Sequence, residues 1–172
     1  MRRLTLAELV ASVAADPLDG AAGSLTTDRV STDSRQVRPG DLFWALAGER
    51  FDGHEFVAQA FAAGAVAAVV RREFAHPSPL PLSPRGEGRG VGGEGCVVLR
   101  VNDTRLALGR FAAWYRRTCQ ALVIAVTGSV GKTSTREAIY AVLSRRWRGV
   151  RSLKNFNNDI GVPLSLLELE PE

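Results

Sequence analysis

A run of apolar residues followed by a glycine-rich turn constrains the fold of this 172-residue chain more than any other feature. Residues 121–126 (Ala-Leu-Val-Ile-Ala-Val) predict a strand buried on both faces, as in a parallel sheet. Residues 127–134 (Thr-Gly-Ser-Val-Gly-Lys-Thr-Ser) form the turn, and Ile139, Val142 and Leu143 then recur at helical spacing. A strand, a glycine loop and a helix in this order predict an α/β fold with a cradle for phosphate.

The chemistry of the turn suits a nucleoside triphosphate. Its backbone N–H groups and the dipole of the following helix favour an anion. Lys132 is placed to reach the outer phosphates, and the Thr133 hydroxyl is placed to bind Mg²⁺. We predict a nucleotide site at Thr127, Gly128, Ser129, Val130, Gly131, Lys132, Thr133 and Ser134. The alternative is a chance Gly-Lys-Thr in a surface turn, since Val126 stands where the usual pattern has another glycine.

The composition indicates a globular protein with free thiols. Hydrophobic residues make up 45% of the chain, and its net charge of +4 is scattered along the sequence. Cys96 and Cys119 have neither metal-ligand spacing nor a CxxC partner, which fits a cytoplasmic location. Glu8 interrupts the first apolar stretch, and no run approaches the roughly 20 apolar residues of a membrane span. We therefore expect neither a signal peptide nor a membrane-spanning helix.

The rest of the chain alternates between helical and strand patterns. Thr5 and Glu8 form a capping box before a short helix, and a second helix begins after Asp52 with Gly64 as its C-cap. Residues 102–104 offer N-caps for a third helix, and we place a domain boundary there. Strands are predicted at residues 29–33, 41–46, 65–70 and 96–101, and a last helix at 160–169.

Residues 76–95 differ in kind from their surroundings. They are rich in proline and glycine and carry too little apolar surface to offset the entropy of ordering. Gly88, Gly90 and Gly93 match the spacing of a dinucleotide motif, but no strand pattern precedes them and no helix pattern follows. We interpret the segment as a flexible insertion in a surface loop.

Taken with the phosphate loop, several short motifs resemble the amino-terminal part of Mur ligases. The Asp-Ser-Arg element with Pro-Gly-Asp-Leu-Phe is typical of members that act on UDP-linked muramyl peptides. The Asn-x-Asn-Asn-x-Ile-Gly-Val-Pro-Leu run favours the member that adds D-alanyl-D-alanine over the members that add diaminopimelate or lysine. The matching segments are residues 31–35, 39–46, 48–49, 52–54, 127–133 and 155–164.

The resemblance implies that residues 1–102 form a small α/β domain that binds UDP-MurNAc-tripeptide. The residues implied in this binding are Ser31, Asp33, Ser34 and Arg35. Hydroxyl and carboxylate groups suit uracil and ribose, and a guanidinium suits pyrophosphate. The alternative for these four residues is a capped, salt-bridged turn. For His54, we expect a hydrogen bond to the backbone and no catalytic role.

The resemblance also implies that residues 103–172 are the first part of an ATP-binding domain with a parallel sheet. The implied reaction transfers the γ-phosphoryl group of ATP to the peptide carboxylate, and the amine of D-alanyl-D-alanine attacks the acyl phosphate. Lys132 and Thr133 would be the catalytic residues, with Mg²⁺ on Thr133. Asn155, Asn157 and Asn158 would face the substrate or merely cap the helix that follows. A cytoplasmic monomer is expected.

The sequence departs from the Mur ligase pattern in two respects, and two other classes of protein are alternatives to it. Ser134 and Arg136 replace the threonine and lysine that the family shows more often. The sequence also stops at Glu172, and for this reason we expect a fragment that does not complete the reaction. Another P-loop protein, such as a folylpolyglutamate synthase relative or a simple NTPase, is one alternative. A nucleic-acid-binding module is the other, suggested by residues 145–148 (Arg-Arg-Trp-Arg). We disfavour it because charge is dispersed elsewhere and Trp147 can pack inward.

Overall fold

The computed structural model describes residues 1–16, 20–48, 51–75, 97–152 and 159–170, and within them the fold is α/β with a parallel sheet, as predicted. The strands are β1 (Leu4–Thr5), β2 (Thr26–Thr27), β3 (Val30–Ser31), β4 (Leu42–Trp44), β5 (Ala67–Arg71) and β6 (Val97–Val101). The helices are α1 (Leu6–Val13), α2 (Val57–Ala62), α3 (Thr104–Thr118), α4 (Lys132–Leu143) and α5 (Gly161–Leu167). Short 3₁₀ turns lie at Gly20–Ser24, Ser34–Gln36 and Gly53–Phe56. The predicted insertion at 76–95 lies outside the described residues.

The chain divides into two compact units. One comprises residues 2–111, and the other comprises residues 112–172 with Met1, so the division falls within α3. The boundary expected at residues 102–104 stays a prediction, which depends on whether residues 1–102 fold without α3.

A four-stranded parallel sheet organises residues 2–111. Its strand order is β3-β4-β5-β6, with Phe43 opposite Ala68 and Val69 opposite Leu99. All three residues of β4 are fully buried, which suits a parallel strand covered on both faces. β1 and β2 form a separate antiparallel pair. The strands predicted for this unit are therefore confirmed, although the observed strands are shorter.

The helix predicted at the start of the chain begins where its capping box places it. Glu8 N–H donates to Thr5 Oγ1 at 3.2 Å, and Thr5 N–H donates to Glu8 Oε2 at 2.9 Å. These two bonds satisfy backbone donors that the first turn of a helix leaves free. Leu6 and Leu9 are then fully buried on the inner face of α1.

Gly64 ends α2 in a conformation that other residues adopt only with strain. Its φ is +100°, and an added Cβ would lie 2.9 Å from the Pro39 Cα. We expect Gly64→Ala to destabilise the protein by roughly 1–3 kcal/mol in urea denaturation, because strain and steric overlap add. Gly109→Ala is the matched control. Gly109 lies inside α3 with open space around its Cβ position, so this change should raise stability by about 0.5–1 kcal/mol.

In residues 112–172, the prediction of a buried strand at residues 121–126 is wrong. This segment pairs with no strand among the described residues. Leu122 is 86% exposed, and Val123 and Ile124 are about half exposed. A parallel strand is stabilised by neighbouring strands and by layers above and below it. The described part of this unit supplies neither, so an apolar sequence alone did not produce a buried strand.

The two helices predicted for residues 112–172 are both present. α4 follows the glycine loop, but none of its described side chains is buried, and Val142 is 67% exposed. α5 covers most of the predicted range 160–169. The Tyr115 hydroxyl donates to the Leu169 carbonyl at 2.7 Å and ties the end of α5 to α3 within this unit. None of the helices in the described ranges is long and apolar enough to cross a bilayer.

Candidate functional site

The glycine loop leads directly into α4, as the sequence predicts. Gly128 and Gly131 have φ angles of +140° and +82°, which fall in the region that favours glycine. Gly131 is the N-cap of α4, and its carbonyl accepts the first helical hydrogen bond from Thr135 N–H at 2.9 Å. Lys132 is consequently the first helical residue, where free backbone N–H groups and the positive end of the helix dipole are located.

Lys132 folds its side chain back over the loop. Its ammonium donates to the Gly128 carbonyl and lies 3.5 Å from the Ser129 carbonyl. The ammonium charge therefore stands inside the curve of the loop, close to the start of α4. The predicted nucleotide-site residues 127–134 are brought together here, and all of them are exposed to solvent. A solvent-facing cation and a helix N-terminus on one loop can bind a multiply charged anion such as a polyphosphate.

Thr133 fits a role in binding a metal ion beside such an anion. It lies in the first turn of α4, and its hydroxyl makes no hydrogen bond within the described residues. A hydroxyl oxygen is a ligand that Mg²⁺ accepts, together with phosphate oxygens and water. No group of three or more acidic, histidine or cysteine side chains suited to a metal occurs in the described ranges. The Thr133 hydroxyl therefore fits a Mg²⁺ ion whose other ligands are phosphate oxygens of a bound anion and water.

The second predicted site, at the end of β3, forms a capped and salt-bridged turn. Asp33 caps the 3₁₀ turn by accepting from Arg35 N–H at 3.0 Å, and its two carboxylate oxygens accept from the Arg35 guanidinium at 2.9 and 2.8 Å. Ser31 donates to the Asp33 carbonyl at 3.0 Å, and Ser34 donates to Gln59 Oε1 at 2.9 Å. Asp33 and Arg35 therefore present the accessible polar groups, while both serines are buried.

The Asp33–Arg35 ion pair is expected to make the stability of the fold depend on pH. Hydrogen bonds from the Arg35 side chain and backbone lower the pKa of Asp33 to about 2. Because the folded-state pKa lies below the ordinary value of 3.8, the pair stabilises the fold above that value, and the contribution disappears as the pH falls through about 2.

Arg35→Ala should raise the Asp33 pKa towards 3.8, as measured by NMR titration of the side-chain carboxyl carbon. Arg38→Ala is the control, because Arg38 is connected to Asp41 through its backbone N–H and not to Asp33. An unchanged Asp33 titration in Arg35→Ala would contradict the assignment of the shift to this ion pair.

His54 is bonded to the backbone, as its position predicts. The ring is buried, and its Nε2 accepts the Arg71 N–H at 2.9 Å, while Nδ1 lies 2.5 Å from Asp52 Oδ1. Asp52 also binds the Arg71 guanidinium at 2.9 Å. Burial raises the pKa of Asp52, but hydrogen bonds from the His54 N–H and ring and the Arg71 charge lower it overall. This arrangement ties the turn at Asp52 to the end of β5. Sequence reasoning did not identify Arg71 as its partner, because no local pattern links residues so far apart.

Asn155, Asn157 and Asn158 lie outside the described residues. The arginine-rich residues 145–148 follow α4 on the surface, and Trp147 is 59% exposed, so the expectation that it packs inward is wrong.

A glycine loop with a lysine at the start of a helix is typical of P-loop proteins, and in this chain a unit with its own parallel sheet precedes that loop. Residues 26–116 match the sequence model of the Mur ligase family catalytic domain, and residues 126–172 match that of the Mur ligase middle domain. The chain belongs to the Mur ligase family.

Two relatives of the chain share one name. The chain is 44% identical over 172 residues to the UDP-N-acetylmuramoyl-tripeptide–D-alanyl-D-alanine ligase of Escherichia coli, covering 100% of this chain and 33% of the relative. The ligase of the same name from Bacillus subtilis is 41% identical over 140 residues, which are 81% of this chain and 27% of that protein. The chain therefore spans about a third of the length of the relatives that it matches.

Two solved structures have a fold similar to that of this chain. A crystal structure of MurF from Acinetobacter baumannii gives a TM-score of 0.77 at 37% identity, covering 99% of this chain and 34% of that one. MurF from Thermotoga maritima, solved in complex with ADP, gives a TM-score of 0.66 at 29% identity, covering 83% of this chain and 30% of that one.

Proposed function

We propose that this chain is the substrate- and ATP-binding portion of a cytoplasmic, monomeric ligase that adds D-alanyl-D-alanine to UDP-MurNAc-tripeptide. The observation that carries the proposal is the Lys132 ammonium held inside the glycine loop at the start of α4. The specificity rests on the relatives, which bear the name of this ligase and match 81–100% of the chain. The ADP complex of the Thermotoga maritima protein supports a nucleotide at the loop.

In this proposal, residues 127–134 bind ATP. Phosphoryl transfer depends mainly on positioning and on neutralising charge, so Lys132 would stabilise the negative charge that develops on the transferred group. Thr133 would hold Mg²⁺, which supplies further neutralisation of the phosphates. The γ-phosphoryl group would pass to the free carboxylate of the peptide as its bond to the β-phosphate oxygen breaks, with ADP as the leaving group. Attack by the amine of D-alanyl-D-alanine on this acyl phosphate would then form the amide and release phosphate.

The turn after β3 would hold the UDP end of the muramyl substrate. Asp33 and Arg35 present their charged groups to solvent there, and a guanidinium can bind pyrophosphate through paired hydrogen bonds. Binding would require Arg35 to share its donors between Asp33 and the ligand. Ser31 and Ser34 would position this turn, because their hydroxyls already bond to the Asp33 carbonyl and to Gln59. Asn155, Asn157 and Asn158 are proposed to face the substrate.

Calorimetric titration of the 172-residue chain with Mg-ATP and, separately, with UDP-MurNAc-tripeptide tests the proposal. We expect saturable binding of both ligands, and UDP-N-acetylglucosamine serves as a control that lacks the muramyl peptide. Binding of Mg-ATP without the muramyl peptide would favour the other candidate, a generic P-loop module. Binding of neither ligand would contradict both.

A further inference from the structure

The 3₁₀ turn at Ser34–Gln36 is held at both of its ends by other parts of the same unit. Its first residue, Ser34, donates its hydroxyl to Gln59 Oε1 on α2 at 2.9 Å. The carbonyl of its last residue, Gln36, accepts a hydrogen bond from Arg29 Nη1 at 3.2 Å. Arg35, the proposed ligand of the pyrophosphate, is the middle residue of this turn. The backbone of Arg35 is therefore held between two anchored neighbours.

The Arg29 guanidinium is itself held by a buried carboxylate. The Nη1 that bonds to the Gln36 carbonyl also donates to Asp41 Oδ2 at 2.7 Å, and the Asp41 side chain is only 5% exposed. The Arg38 N–H donates to the same carboxylate oxygen at 2.8 Å. Arg29 directly precedes β3 and Asp41 directly precedes β4, so the pair closes the connection between these two strands. Because a buried carboxylate needs a partner, the guanidinium is kept in place beside the turn.

A turn that is already ordered binds a ligand more tightly than one that must be ordered during binding. Arg29 can supply this order, because it bonds to the backbone of the turn. Its charge is already paired with Asp41, so it is better suited to hold the turn than to bind an anion itself. Asp33 and Arg35 remain the groups that would contact the ligand.

We infer that Arg29, held by Asp41, is a positioning residue for the binding of UDP-MurNAc-tripeptide. It fixes the end of the 3₁₀ turn at Gln36 and thereby the backbone of Arg35. This role rests on the proposed part of Arg35 in binding the UDP end of the substrate. The proposed ATP site at residues 127–134 belongs to the other compact unit, so Arg29 should affect the muramyl ligand alone.

Calorimetric titration of the 172-residue chain and of Arg29→Met with UDP-MurNAc-tripeptide tests this role. The affinity of the variant should fall by roughly 2- to 12-fold, which is the contribution of one hydrogen bond expressed as a ratio of dissociation constants. Its affinity for Mg-ATP should be unchanged. The variant should also unfold at a lower urea concentration, because Asp41 stays buried without its ion-pair partner.

A double variant separates positioning from stability. Arg29→Met/Asp41→Asn replaces the unpaired carboxylate by a neutral amide, whose oxygen can still accept from the Arg38 N–H. Its urea midpoint should lie above that of Arg29→Met. Its affinity for the muramyl ligand should stay low, because the bond to the Gln36 carbonyl is still absent. An affinity that returned to the parent value together with the stability would overturn the inference.

Arg72→Met is the matched control, because it breaks another arginine–aspartate pair of 2.7 Å, with Asp16, in the same unit. This variant should bind UDP-MurNAc-tripeptide like the parent chain, and equal weakening here would contradict a specific role for Arg29. If the parent chain and Arg29→Met bound the muramyl ligand equally well, only the inference about Arg29 would be overturned. If the parent chain did not bind it, the proposed function would fail as well.

Discussion

Replacing Lys132 by alanine is expected to weaken binding of Mg-ATP by about 10- to 150-fold. The ammonium stands inside the loop, where it contacts the carbonyls of Gly128 and Ser129 and lies at the start of α4. When a phosphate binds, the ammonium would donate to a charged phosphate oxygen instead of to these neutral carbonyls. Hydrogen bonds to charged groups contribute roughly 1.5–3 kcal/mol. Calorimetric titration of the chain and the variant with Mg-ATP measures the difference.

Two variants separate the role of this ammonium from a general effect of charge. Arg117→Ala removes an exposed cation from α3 and should leave ATP affinity unchanged. Lys132→Arg keeps the charge but replaces a compact ammonium by a planar fork, so it should fall between the parent chain and Lys132→Ala. Lys132→Ala should also leave binding of UDP-MurNAc-tripeptide unchanged. Equal loss of both ligands would contradict the assignment of separate sites.

The largest loss of stability is expected from Trp44→Ala. Trp44 is fully buried in β4, its ring stacks on Phe111 with centroids 5.7 Å apart, and its Nε1–H donates to the Thr104 carbonyl at 2.8 Å. Truncation removes the stack, the hydrogen bond and a large apolar volume. We expect the free energy of unfolding to fall by about 3–5 kcal/mol in urea denaturation. A loss of this size is a large fraction of the stability of a typical domain.

Two other substitutions show which interactions of Trp44 account for the loss of stability in Trp44→Ala. Trp44→Phe retains an aromatic ring but removes the hydrogen bond from the indole to the Thr104 carbonyl, which should cost about 0.5–1.5 kcal/mol. Trp147→Ala removes the same side chain from an exposed position and should change stability by no more than about 0.5 kcal/mol. If Trp44→Ala were no more harmful than Trp147→Ala, Trp44 would not be a core residue in solution.

Local signals predicted most of the elements in residues 2–111. The capping box at Thr5 and Glu8 and the left-handed glycine at Gly64 depend on a few neighbouring atoms, so their sequence patterns are reliable. The strands of the sheet were predicted for a different reason. Each carries a short apolar run bounded by turn residues, and the neighbours that it needs lie in the same unit.

The errors concern features that depend on distant parts of the structure. Residues 121–126 have the composition of a buried strand, but burial requires flanking strands, and none is present among the described residues. Trp147 was interpreted as a residue that can pack inward at the end of a helix, but nothing local determines where an indole packs, and it is exposed. The partner of His54 was also beyond local analysis, since Arg71 is 17 residues away.

The glycine loop was predicted more completely than the turn after β3. Its geometry follows from consecutive residues, so Lys132 and the start of α4 are located where the pattern requires. For Asp33 and Arg35, the sequence was compatible with a salt-bridged turn and with a ligand site. The structure contains the salt-bridged turn, while the role in binding UDP-MurNAc-tripeptide remains a prediction.

The exposure of residues 121–126 also governs how the chain behaves in concentrated solution. Six apolar residues without proline or charge, four of them valine, isoleucine or leucine, have the composition of segments that stack into intermolecular β-structure. No charged side chain interrupts the run to oppose such pairing. With a net charge of only +4, mutual repulsion between molecules is weak, particularly at high salt. For the isolated 172-residue chain we therefore expect self-association through this segment to limit the concentration at which the chain stays dispersed.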